Sequence, residues 1–120
     1  MKYDDIKNAL SLITSPVDKL EFVMDLGKSL DAIPDDAKCT EIFGCASFVQ
    51  ICEKDGRFYG YADSMMVRGI VAIILAVVDG KTVKQIKQMD LSGEFNSLNL
   101  NFGAGRLNGI QSMISFFKNL

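Results

Sequence analysis

The apolar positions of this chain change period several times, and each change predicts an element. Ile6, Ala9, Leu10 and Ile13 recur at helical spacing and predict a short first helix. The stretch "SPVDKLEFVMDLGKSL" predicts a second. Ser15 is placed to cap it, Pro16 suits its first position and Asp18 follows three residues after the cap, with Leu20, Val23, Met24 and Leu26 or Gly27 as its buried stripe. Pro34 closes that region, and residues 35–44 read as a connecting loop of mixed polarity. Period two then takes over. "SFVQICEKDGRFYGYA" predicts a hairpin turning at Asp55-Gly56, with Cys52 opposite Tyr59 and Ile51 opposite Gly60. Phe48, Gln50, Cys52, Tyr59 and Tyr61 share one face and Val49, Ile51, Phe58 and Ala62 the other; the pattern leaves open which is inside. Met65 to Val78 is apolar on nearly all sides, too long for a strand, and predicts a central helix ended by Asp79-Gly80. Thr82, with Gln85 three residues on, is placed to cap another short helix. Leu107, Ile110, Met113, Ile114 and Phe117 predict an amphipathic C-terminal helix. Helices, then a hairpin, then helices is the order of an α+β fold: helices packed on one side of a small antiparallel sheet.

Composition narrows the function classes. A chain of 120 residues without repeats or linkers is expected to form one domain, residues 1–120. Its net charge is -2 and its 13 basic residues form no run, so nucleic acid is not an expected partner. "MKYDDIKNAL" has no apolar signal region, and the apolar run 65–78 contains Arg68 and falls short of the ~20 residues a bilayer span needs. No membrane association is expected, and with an odd number of cysteines the expected setting is the cytoplasm, with free thiols. The chain has no histidine, which excludes His-assisted serine or cysteine hydrolysis and removes the commonest metal ligand.

Chemistry therefore rests on Cys39, Cys45 and Cys52. Free cysteine is most often a small buried hydrophobe, and Cys52, mid-strand beside Ile51, fits core filling. Cys39 lies in the polar loop, where nothing local assigns it a role. Cys45 stands where loop becomes strand, after Gly44 and before the small Ala46 and Ser47, where a glycine lets another molecule approach; a structural and a reactive thiol both fit. The spacing Cys-x5-Cys-x6-Cys fits a zinc site poorly, although a carboxylate such as Asp63 could complete a cluster.

The segment Ile42-Phe43-Gly44-Cys45-Ala46-Ser47-Phe48-Val49-Gln50 resembles the central pattern Val-Pro-Gly-Cys-x-Ser-x-Val-Trp of the SufE family of sulfur-acceptor proteins, of which CsdE is a sister branch. "LEFVMDLGKSL" with Pro34, "GYADSMMVRGIVAIILAVVDGKTVKQI" and "GAGRLNGIQSMI" resemble further family segments in the same order, so the likeness runs over about residues 15–118. Phe43 replaces the family's proline and Gln50 its tryptophan, changes that bear on partner specificity more than on the thiol.

The resemblance implies a SufE/NifU-like (IscU-like) fold. It also implies a carrier, not an enzyme with its own turnover: Cys45 accepts persulfide sulfur from a pyridoxal-phosphate cysteine desulfurase (SufS/CsdA-like), stimulates that enzyme, and passes the sulfur to an iron–sulfur scaffold (SufB-like). The carrier itself is expected to hold no cofactor and no metal, and to be a monomer or weak homodimer. Gly44 and Ser47 would give the thiol room, Asp63 would brace its loop, and Arg106 would favour the thiolate. Local preference alone makes Asp63 a helix cap or first-turn carboxylate and Arg106 a solvent-facing helix residue. Cys39, six residues before Cys45, could resolve a persulfide or form a disulfide under oxidation. Two other readings stand beside the carrier: a cluster or zinc scaffold using Cys39, Cys45 and Cys52, and a regulator that only docks the desulfurase.

Overall fold

A computed structural model describes all 120 residues. In chain order the elements are α1 (Tyr3–Leu12), α2 (Pro16–Gly27), β1 (Lys38–Glu41), β2 (Val49–Lys54), β3 (Arg57–Ala62), α3 (Met65–Val78), α4 (Val83–Gln88), α5 (Leu91–Asn96) and α6 (Ala104–Lys118). The three strands form one antiparallel sheet in the order β1-β2-β3.

Local chemistry sets most boundaries. The Ser15 hydroxyl accepts from the Asp18 N–H and Pro16 opens α2. Ser64, rather than Asp63, caps α3 by accepting from Val67 N–H. Thr82 and Gln85 form a reciprocal capping box on α4. At the hairpin, Asp55 (φ 52°) and Gly56 (φ 80°) both take left-handed dihedrals, as a turn matching strand twist requires. The resulting register sets Cys52 opposite Tyr59 and Ile51 opposite Gly60.

The inner face of the sheet is the one carrying Val49, Ile51 and Ala62. A Cβ on Gly60 would meet the Val71 side chain of α3 at 2.5 Å, and Phe58 meets the ring of Phe117 in α6 edge-on at 5.1 Å. α3 is the hub of the core: Ile70, Val71, Ile73, Ile74 and Val77 are almost wholly buried, which is why this helix is apolar on nearly every side. Its one charge, Arg68, leaves the apolar surroundings by bonding the Ala62 carbonyl at 2.6 Å and the Tyr61 hydroxyl at 3.0 Å.

Three expectations are corrected. Residues 38–41, read as loop, form the edge strand β1, so Cys39 lies on a strand. The cysteines are not all free: Cys39 and Cys52 are opposite each other across β1 and β2 and form a disulfide. Cys52 is 0 % exposed, yet it lies outside the connected apolar core, on the sheet face turned away from α3. Its thiol is therefore not free: it is buried and bonded to Cys39. Leu107 is also misplaced by its helical spacing; it is 56 % exposed.

Candidate functional site: a thiol seated against a helix

Residues 42–48 connect β1 to β2 and carry Cys45, the one free cysteine. The connection is closed at its neck by the Ile42 N–H donating to the Val49 carbonyl at 2.8 Å, and by the Asp63 N–H donating to the Phe48 carbonyl at 3.1 Å. Ile42 is buried and pins the start of the loop. Beyond it the chain turns toward α6 through Gly44 at φ +100°, where any Cβ would also stand 2.6 Å from the Ser112 hydroxyl oxygen. Only glycine satisfies both the dihedral and the space.

That turn seats Cys45 on α6. A Cβ on Gly109 would lie 2.4 Å from the Cys45 sulfur, so the missing side chain of Gly109 is the thiol's seat. Sequence reasoning passed over Gly109; the available signal was a glycine inside an otherwise helical pattern, which marks close packing. Cys45 and Ser47 line one wall of a cavity of about 410 Å3. Ser64, the cap of α3, forms a second wall with Val67 and Ile70 of that helix, and Phe102 with Gly105, Arg106, Gly109, Ile110 and Met113 completes the lining. Four apolar side chains on the framing segments face solvent: Phe43 (75 % exposed) and Phe48 (37 %) on the loop, Met65 (47 %) at the start of α3, and Leu107 (56 %) in the first turn of α6. Large apolar side chains left exposed beyond what folding uses are the material of a contact surface.

Burial raises the Cys45 thiol above its ordinary range. Arg106 lines the same cavity but donates to the Phe102 carbonyl at 3.3 Å, and desolvation alone governs the thiol. In this arrangement the Arg106 guanidinium bonds a backbone carbonyl, and the Cys45 thiol is partly sheltered. Gly44 shapes the loop without lining the cavity. Asp63 is exposed and meets the loop only through its backbone N–H. Gln50 lies on β2 opposite Tyr61 and Glu41 and borders a different hollow, with Arg68 and Lys28. The three thiols do not converge as a ligand set: two are bonded to each other, and no three His, Cys, Asp or Glu residues cluster in a way that would hold a metal ion. No helix is long and apolar enough to cross a membrane.

Comparison with known proteins bears on this arrangement. The solution structure of a hypothetical protein from Thermus thermophilus superposes with a TM-score of 0.74 over 99 % of this chain and 94 % of that one, at 15 % identity, which is a likeness of fold. A SufE-like protein of Rhizobium meliloti is 32 % identical, covering 96 % of this chain and 91 % of its own. The sulfur acceptor protein CsdE of Escherichia coli is 29 % identical over 92 % of this chain and 81 % of its own. The cysteine desulfuration protein SufE of Wigglesworthia glossinidia brevipalpis is 27 % identical over 84 % and 76 %. The family model described as "SufE: Fe-S metabolism associated domain" matches residues 4–120, and the chain belongs to that family.

Proposed function

We propose that this protein is a sulfur acceptor for a cysteine desulfurase, with Cys45 as the accepting thiol. One observation carries the reading: the only free thiol of a SufE-family chain sits on an exposed, glycine-shaped loop at the mouth of a cavity. The relatives named as a sulfur acceptor and a cysteine desulfuration protein support it.

The transfer is a thiol exchange. The Cys45 thiolate attacks the terminal sulfur of the desulfurase's Cys-S-SH; that S–S bond breaks, the desulfurase thiolate leaves, and Cys45 keeps the sulfur as a persulfide. The reaction needs no histidine, only access and a thiolate. Since burial holds the proton on Cys45, docking has to lift the loop off Gly109 or bring positive charge to the sulfur. Phe43, Phe48, Met65 and Leu107 form the apolar contact surface for the desulfurase, and exposed Arg106 is the one cation lining the cavity beside the persulfide that results. The carrier has no turnover of its own, and an iron–sulfur scaffold is the onward acceptor. The test is intact mass after incubation with a cysteine desulfurase and cysteine. Wild-type protein gains one sulfur atom and Cys45→Ser gains none, because a hydroxyl is a far weaker nucleophile at neutral pH. Equal loading of both would refute the assignment.

A further inference from the structure

The Cys39–Cys52 bond stands at the base of the loop that carries Cys45. Its two halves differ sharply in access. β1 is an edge strand with all four residues exposed, Cys39 among them, whereas Cys52 is 0 % exposed in the central strand. The Ile42–Val49 hydrogen bond and the register make Cys39 and Cys52 a non-hydrogen-bonded pair, in which facing side chains come closest. Two residues further along the same strands, Glu41 faces Gln50, and the Cys45 loop begins beyond them. β1 has no second strand to hold it, so its ties are the β2 ladder, the buried Ile42 at its end, the ion pair of Asp36 with Lys54 just before it, and this disulfide.

We propose that Cys39–Cys52 is a thiol-exchange site addressed at Cys39 by a protein dithiol, and that opening it frees the stem of the Cys45 loop. A nucleophile attacks one sulfur of a disulfide from the side opposite the other. The Cys39 sulfur is approached that way from solvent beyond the edge strand β1, while in-line approach to the fully buried Cys52 comes from the β3 side, where Tyr59 stands opposite it. In the first step the attacking thiolate bonds to Cys39 and Cys52 departs as a thiolate, which takes up a proton from water. In the second, the other thiol of the reductant attacks its own mixed-disulfide sulfur and releases Cys39. The net change is one dithiol oxidised to its disulfide and the protein disulfide reduced to two thiols; the reverse reaction, with the oxidised form of the same dithiol, restores the bond. The site works on the stem alone and does not depend on Cys45 accepting sulfur.

The test uses the full-length oxidised protein and a thioredoxin whose resolving cysteine is replaced by serine, so that the mixed disulfide is trapped. Peptide mapping should find the probe on Cys39. Iodoacetamide should then label Cys45 at least about threefold faster in reduced wild-type protein, and in Cys39→Ser/Cys52→Ser, than in oxidised wild type, because the freed stem opens locally more often. The reduced wild type serves if the double variant folds poorly. Trapping on Cys52, no trapping at all, or a Cys45 labelling rate indifferent to the state of the pair would overturn the proposal. Loss of sulfur acceptance with these rates intact would instead count against the function proposed for Cys45.

Discussion

Cys45 and Cys52 stand seven residues apart on one continuous stretch of chain, and both are withdrawn from solvent, yet by opposite means. Cys52 is held by a covalent bond across two strands whose register fixes both ends. Cys45 is held by shape alone: a left-handed glycine turns the loop, and a second glycine, in α6, leaves the hollow that receives the sulfur. Withdrawal by a bond removes a thiol from chemistry until an exchange partner arrives. Withdrawal by shape, with a raised pKa, leaves the thiol intact and recoverable by a movement of the loop.

The largest effects test the covalent side. Measured against oxidised wild type in a denaturant titration, Cys39→Ala should lose about 3 kcal/mol, since it removes a cross-link closing a loop of this size, and Cys52→Ala should lose that and more, because its position is also fully buried. Measured against reduced wild type, the cross-link part common to both losses should vanish. Cys39→Ala falls within about ±0.5 kcal/mol of wild type because its position is exposed. Cys52→Ala keeps a measurable cost because its position is fully buried. A Cys39→Ala loss no larger against oxidised than against reduced wild type would mean that the disulfide is not the dominant tie.

A smaller effect probes the seat of Cys45. Gly109→Ala places a methyl group 2.4 Å from the sulfur, so the thiol or the helix must shift. We expect a loss of about 1–3 kcal/mol from overpacking, together with faster alkylation of Cys45 as its sulfur is displaced outward. Stability loss with unchanged alkylation would show that the helix moves and the seat stays. The smallest effect is the pH dependence. Burial disfavours the thiolate, so the folded protein holds the Cys45 proton to higher pH than the unfolded chain does. Alkylation of the native protein should therefore rise with a midpoint above that of the same cysteine in urea. This residue's contribution to stability is whole below the unfolded thiol pKa and is lost as pH rises through the folded one. A midpoint at or below the unfolded value would indicate that a cation reaches the sulfur in the resting state.

What the sequence disclosed follows the range of the forces involved. Ser15-Pro16 and the Thr82–Gln85 box act within one helical turn, and Asp55-Gly56 fixes a register through the turn it makes, so those two helix starts and the hairpin could be read directly, whereas the cap of α3 fell to Ser64 and not to the expected Asp63. β1 could not. An edge strand whose four residues are all exposed, "KCTE", has no buried face and hence no alternation to read; it becomes a strand only by pairing with β2. Without β1 the partner of Cys39 was hidden as well. α5, six residues with Gly93 among them, is too short for a helical period to show. Leu107 obeys the spacing of a buried face but lies in the first turn of α6 beside the cavity mouth, where no element covers it. At the site, the loop and its cysteine were visible in the motif, but the seat was not. The contact of Gly109 with Cys45 joins positions 64 apart and exists only once α6 packs under the loop.

The division between the two cysteine regions is tested most directly by mapping where sulfur arrives. Oxidised protein is loaded by a cysteine desulfurase and cysteine, blocked by alkylation, and digested without reductant. One added sulfur atom is expected on the peptide containing Cys45, with the Cys39 and Cys52 peptides still joined. Sulfur on either of those two peptides, or a Cys45 peptide that carries none, would contradict it.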